Sequence, residues 1–157
     1  MPTDDTPIFY LWLRRHAASF CDDYETVSAG FAWQLARQEA VWQVTVAAGT
    51  GSQVGFLWLT QCTPGLHASV HGLVWPKAWR PLLGSGLVQA WLSQRCQEAG
   101  YCKLKAEAMG HQRAARRVLQ GLGFVEVATL CCETMYQGQH TAVSLYEWRP
   151  VPSRHRF

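Results

Sequence analysis

A chain of 157 residues is the size of one domain and can bury about two-thirds of the surface its unfolded form exposes, so it needs no disulfide framework. Its net charge of +3, carried partly by Arg149, Arg154 and Arg156, is too mild for a dedicated nucleic-acid binder and reads as a solvated basic tail over 149–157. No apolar run approaches the roughly 18 residues of a membrane span, and no charged-then-apolar leader opens the chain, so a single cytoplasmic domain over 1–157 is expected.

Two helices are predicted first, over Ile8–Phe20 and Val27–Leu35, from apolar residues at helical spacing. The texture then changes. Val41–Val46 is rich in β-branched residues, and "AAGTGSQ" reads as a hairpin turn into a second strand, Val54–Leu59. "TPG" turns the chain again into a third strand, His67–Trp75, which Pro76 stops. A helix is predicted from about Leu82 or Gly84 to Ala99, with Leu87, Val88, Trp91, Leu92 and Cys96 on its apolar face and Gly100 as its C-cap. A strand over Lys103–Ala108 and a helix over Gln112–Leu122, stopped by Gly123, follow. Phe124–Met135 and Ala142–Trp148, joined across "YQGQH", are the last strands. The order implies an α/β fold: one mixed, mainly antiparallel sheet flanked by helices.

The six cysteines, Cys21, Cys62, Cys96, Cys102, Cys131 and Cys132, show no C-x-x-C spacing. No metal site is expected, and they read as small buried hydrophobes. Most of the eight tryptophans are expected in the core or at a contact surface.

The chemistry concentrates in "WRPLLGSGLVQAWL", Trp79–Leu92. A strand, then glycines, then a helix start suits an anion, because unpaired amides and the positive end of the helix dipole converge where side chains are missing. The same glycines equally suit a turn that merely feeds a buried helix. The phosphate loop G-x-x-x-x-G-K-[ST] and the dinucleotide fingerprint G-x-G-x-x-G are both absent, which argues against a nucleotide hydrolase and a dinucleotide oxidoreductase.

Taken with "QRAARRVLQGLGF", which begins at Gln112, the segment from Val54 to Phe124 resembles the GNAT superfamily of acyl-CoA-dependent N-acetyltransferases. In that family a strand ending near a proline precedes (Arg/Gln)-x-x-Gly-x-(Gly/Ala) and a helix, and a later strand leads into Asn-x-x-Ala-x-x-Leu-Tyr-x-x-x-Gly-Phe. Ala115, Gly123 and Phe124 match in register, and Val118 stands at the leucine position. Gln112 replaces the asparagine and Leu119 the tyrosine. Arg80-x-x-x-Gly84-x-Gly86 is one residue longer than the family turn, and Pro81 removes an amide from it. The tryptophan richness, the two-helix N-terminus and the "HGLVW" strand resemble small GNAT proteins of bacteriophages and prophages.

The resemblance implies transfer of an acetyl group from acetyl-CoA to an amine, on a small molecule or a protein, by direct attack. It implies that the pyrophosphate rests on the amides of Leu82, Leu83, Gly84, Ser85 and Gly86, helped by Arg80, while the pantetheine arm runs as an extra strand beside Val74 and Trp75. An amide near Val74 and Trp75 would polarise the thioester carbonyl. Gln112, Arg116 and Leu119 are spaced to share a face toward the cofactor, which favours Arg116 over Arg117 as a phosphate contact; a wholly solvated face of Arg113, Arg116 and Arg117 is the other reading. His71 and Glu107, on strands flanking the cleft, are the candidate bases, each with a purely structural alternative. Tyr101, Tyr136 and Tyr146 are alternative acids in place of Leu119. The departures from the motif leave a second function class open: a weak or inactive module on the same fold that binds a protein partner. Membrane and nucleic-acid partners are not indicated, and neither the acceptor nor the oligomeric state can be read.

Overall fold

The computed structural model describes residues 42–45, 53–74 and 76–150. The two helices expected before Val41, most of the "AAGTGSQ" turn, Trp75 and most of the basic C-terminal segment lie outside the described residues.

Ten elements follow in order: β1 (Trp42–Thr45), β2 (Gln53–Thr63), β3 (His67–Val74), a 3-10 turn at Pro76–Ala78, α1 (Trp79–Ser85), α2 (Leu87–Ala99), β4 (Lys103–Met109), α3 (Arg113–Gly121), β5 (Val125–Tyr136) and β6 (Gln139–Trp148). The strands form one six-stranded sheet in the order β1-β2-β3-β4-β6-β5. All neighbours are antiparallel except β3 and β4. A parallel pair needs a crossover, which α1 and α2 supply. The β5–β6 connection is a two-residue turn with both Gln137 (φ 50°) and Gly138 (φ 73°) left-handed, the conformation whose twist matches a hairpin.

One expected helix is two. The run to Ala99 breaks at Gly86, whose φ of 74° ends α1 and opens α2. The expected stop at Gly100 is present: it is left-handed, and its amide donates to Cys96 O.

The period of two along each strand divides the sheet into two faces. One carries Leu57, Leu59, Ala68, Leu104, Ala106, Ala108 and Tyr146, which pack with Leu82, Val88, Leu92 and Cys96 of α1 and α2 and with Val118 and Leu122 around α3. Leu82 and Leu104 are wholly buried. Each such leucine contributes about 1.5–3 kcal/mol by burial, and truncating one to alanine costs about 2–5 kcal/mol. The other face carries Trp58, Thr60, Ser69, His71, Lys103, Lys105, Glu107, Leu145 and Glu147, as the cross-strand partners Trp58↔His71, Thr60↔Ser69, Lys105↔Glu147 and Glu107↔Leu145 require. The tryptophans with described side chains follow expectation: Trp58 is buried, and Trp79, Trp91 and Trp148 pack partly buried around the core. The cysteines largely do not. Among those described only Cys96 is buried, while Cys62, Cys102, Cys131 and Cys132 are exposed, because they fall in turns, at strand ends or on the edge strand β5. That edge also exposes Val125, Val127 and Leu130.

Candidate active site

β3 and β4 pair over three positions only: His67↔Lys103, Ala68↔Leu104 and Ser69↔Lys105. Beyond them the two strands diverge. Val74 remains paired to Gly55 of β2, so among the described residues the edge of β3 that looks toward β4 carries no ladder past Ser69. Close packing sets one wall of this splay. Gly72 lies under Trp79, and a Cβ there would meet Leu57 Cδ2 at 2.8 Å and the Trp79 ring at 3.6 Å.

The splay lies between two spaces, one on each face of the sheet. On the helix side a cleft of about 310 Å³ is walled by Leu57, Gly72 and Trp79, by Val88 and Leu92 of α2, and by Gln112, Ala115, Val118 and Leu119 along α3. On the opposite side a cavity of about 390 Å³ is lined by Thr60, Gln61, Ser69, Lys103, Lys105, Val127, Leu145, Tyr146 and Glu147. Val70, His71, Ala106 and Glu107 line both. The two spaces therefore meet at the point where β3 and β4 part.

His71 is held there from two sides. Its Nε2 lies 2.6 Å from Thr60 Oγ1, and its ring stacks on buried Trp58 at 5.4 Å and 16°. Surrounding protein disfavours the imidazolium and pushes the pKa down to about 4. The residue is nonetheless exposed along the cavity, so water tempers the penalty; what stands is an uncharged ring at pH 7. Glu107 is exposed at the same junction, and among the described residues it has no ion pair. Lys103, two strand positions from Lys105, is bonded to Glu147 at 2.6 Å; that bond, with the charges of Lys103, Arg149 and Lys105, holds the Glu147 carboxyl below its ordinary range.

No protein-family model and no curated protein sequence matches the chain. Solved structures do. A GNAT-family acetyltransferase from Bacillus anthracis superposes with TM-score 0.62 over 90% of both chains at 13% identity. A variant of the spermidine N-acetyltransferase SpeG from Vibrio cholerae gives 0.66 over 92% of this chain and 89% of that one at 18% identity. The ribosomal-protein acetyltransferase RimL, in complex with coenzyme A, gives 0.67 over 93% and 89% at 12% identity. The chain has the GNAT fold.

On this GNAT fold the remaining expected residues divide. The turn expected over Leu82–Gly86 is not an open loop. Leu82 is buried, Leu83 packs toward Gly121, and the Gly86 amide donates to Leu83 O at 3.3 Å. Pro81 is the third residue of α1, where a helix leaves amides unpaired, so its missing N–H costs the helix nothing. Ser85 joins the two helices, its Oγ donating to Leu82 O at 2.7 Å and accepting from the Leu87 amide at 3.3 Å. Arg80 and Gly84 are both exposed, and their four-residue spacing puts them on one face of α1. The extra residue that sets Arg80 out of step with the family turn thus becomes a full helical turn between guanidinium and glycine.

On α3, Leu119 lines the cleft as expected, and so does Gln112, whose Oε1 accepts the Met109 amide at 3.0 Å and ties the end of β4 to the helix start. Arg116 does not line it. Its guanidinium lies near Gly110 and Thr141 is close by, its Nε is buried without a hydrogen-bond partner, and Arg117 is exposed. Of the three tyrosines only Tyr146 touches either space: Tyr101 is raised to about 12, chiefly by burial, at the far end of α2, and Tyr136 stacks on His111 at 3.5 Å. Thr60, Lys105 and the wedge of Trp79 over Gly72 carry no mark in the sequence; cross-strand register alone brings them to the site.

Proposed function

We propose that the protein is an acetyl-CoA-dependent N-acetyltransferase acting on an amine in the cytoplasm. The observation that carries this reading is the splay of β3 from β4, with one space on each face of the sheet meeting at His71 and Glu107. The free thiols of Cys62, Cys96, Cys102, Cys131 and Cys132 support a reducing compartment, and no described helix is long and apolar enough to cross a membrane. SpeG and RimL act on spermidine and on a ribosomal protein, both amine-bearing, and an amine is the acceptor class carried over.

The residues present fit coenzyme A. The unladdered edge of β3 through Val74 accepts an extended arm, as a sheet edge accepts a strand. Among the described residues nothing lies within 4 Å of a Cβ position at Gly84, which leaves room for an anion within reach of Arg80. Leu82, Leu83, Ser85 and Gly86 act by holding the hinge that opens α2. When bound, acetyl-CoA supplies the activated acetyl group. Glu107 holds the acceptor ammonium at the junction. His71, neutral and in the tautomer whose Nε2–H donates to Thr60 Oγ1, accepts a hydrogen bond from the amine at Nδ1 and orients it as its proton leaves to solvent. Arg116, which lies near Gly110 and outside the cleft lining, is not assigned to the phosphates in this reading.

Acetyl-CoA titration by calorimetry, followed by thiol release with a panel of amines, tests the proposal. Saturable binding with turnover is the expected result. Absence of binding at millimolar acetyl-CoA overturns it, and binding without turnover on any amine favours the partner-binding module instead.

A further inference from the structure

The cavity on the face away from the helices has a charge pattern that specifies more than an amine. β4 places Lys103, Lys105 and Glu107 on that face in alternation. Lys103 is spent on Glu147, at 2.6 Å. Lys105 stands opposite that same carboxylate, so two lysines share one anion and Lys105 carries surplus positive charge, while Glu107 has no ion pair among the described residues. Two strand positions separate their Cα atoms by about 6.5–7 Å along the strand. Their order is fixed relative to the chemistry. Glu107 also lines the cleft on the helix side, at the junction, whereas Lys105 lines only the far cavity. Apolar wall is supplied by Leu145 and by Val127, which the β5 irregularity between Glu126 and Ala128 leaves without a partner on β6.

We infer that the acceptor is a small zwitterion of the amino-acid class, held with its amine at Glu107 beside the junction and its carboxylate on Lys105. This rests on the acetyltransferase reading for the reaction, but not for the binding. The cavity, about 390 Å³, encloses a molecule of that size. A polyamine would leave Lys105 facing like charge, and a monoamine would leave the surplus charge of Lys103 and Lys105 over Glu147 unmatched.

Matched probes separate the two ends of the ligand: histidine against histamine, tyrosine against tyramine, and lysine against cadaverine. Each is titrated by calorimetry into the full chain, with and without coenzyme A, alongside Lys105→Met, Lys105→Arg and Glu107→Gln. At least one amino acid is expected to bind tenfold or more tightly than its decarboxylated partner. Lys105→Met removes that preference, Lys105→Arg retains it, and Glu107→Gln weakens amino acid and amine alike. Melting temperatures of the variants identify any that fail to fold, and the pair at position 105 keeps the comparison open if one does. Equal or tighter binding of the amines, tighter binding of spermidine, equal binding of a tripeptide amide, or no binding of any probe overturns the inference. Acetyl-CoA titrated into the same samples reads the reaction separately: its failure to bind overturns the acetyltransferase reading while the amino-acid preference is still measured.

Discussion

His71 shows how much one side chain's surroundings decide. Its folded pKa of about 4 lies below the ordinary imidazole value of 6.5, so between those values the unfolded chain binds a proton that the folded chain does not. Stability is therefore full above about pH 6.5 and falls as the pH drops toward 4. Melting curves from pH 7 to 4 should decline more steeply for the parent than for His71→Gln, and equal slopes would show that the ring is not held neutral. At pH 7 the same variant should lose at least tenfold in kcat while acetyl-CoA affinity stays within a few-fold; an unchanged kcat removes His71 from the chemistry. Leu119→Tyr puts a phenol into the cleft wall at a half-buried position, and it should keep acetyl-CoA binding within a few-fold and raise the rate. Loss of all binding would mean that the leucine is there to pack. His71 and Glu107 are offered by their places on two predicted strands and by a cleft that the family resemblance implies, and both line the junction. The same reading did not place Arg116. The spacing from Gln112 assumed a residue inside the helix, whereas Gln112 is the N-cap, with φ −86° and ψ 64°, and its side chain turns back to the Met109 amide.

Among the elements, α1 and its hinge matter most. Gly84 and Gly86 are alike in sequence and opposite in cause. Gly86 has a φ of 74°, which an L-residue adopts at a cost of about 1–2 kcal/mol. Gly84 sits inside α1 with open space where a Cβ would be, and nothing in the packing asks for glycine there. Gly84→Ala should stabilise the fold by about 0.5–1 kcal/mol, as alanine does in a helix. If an anion approaches that face, the variant should also bind acetyl-CoA more weakly. A more stable variant with undiminished affinity would show that α1 only feeds α2. Strands were legible because alternation and β-branched runs survive in a half-exposed sheet, and β3 and β4 came out within a residue of their bounds. The break at Gly86 was not legible, since a glycine inside an apolar run reads equally as a helix start, a tolerated interior residue or a hinge.

For the whole molecule, the two spaces on either side of the sheet work together only while the junction stays open. Ala106 is buried at that junction and lines both, so Ala106→Val narrows the junction from within. It should lower turnover tenfold or more while acetyl-CoA and acceptor still bind within a few-fold in separate titrations; undiminished turnover would mean the spaces do not communicate there. The three-residue seam between β3 and β4 has a consequence for how the chain is assembled. The β2–β3 and β5–β6 ladders join strands adjacent in sequence, while the seam must await both helices of the crossover, and contacts of long sequence separation form late. The molecule is thus two small sheets stitched late and briefly. Within Val70–Val74 and Ala106–Met109, amide hydrogen exchange should be faster at the amides that face the opening than at those laddered to β2 or β6, and a molecule lodged between those strands would act as the missing stitches, with protection that grows as its concentration exceeds its dissociation constant.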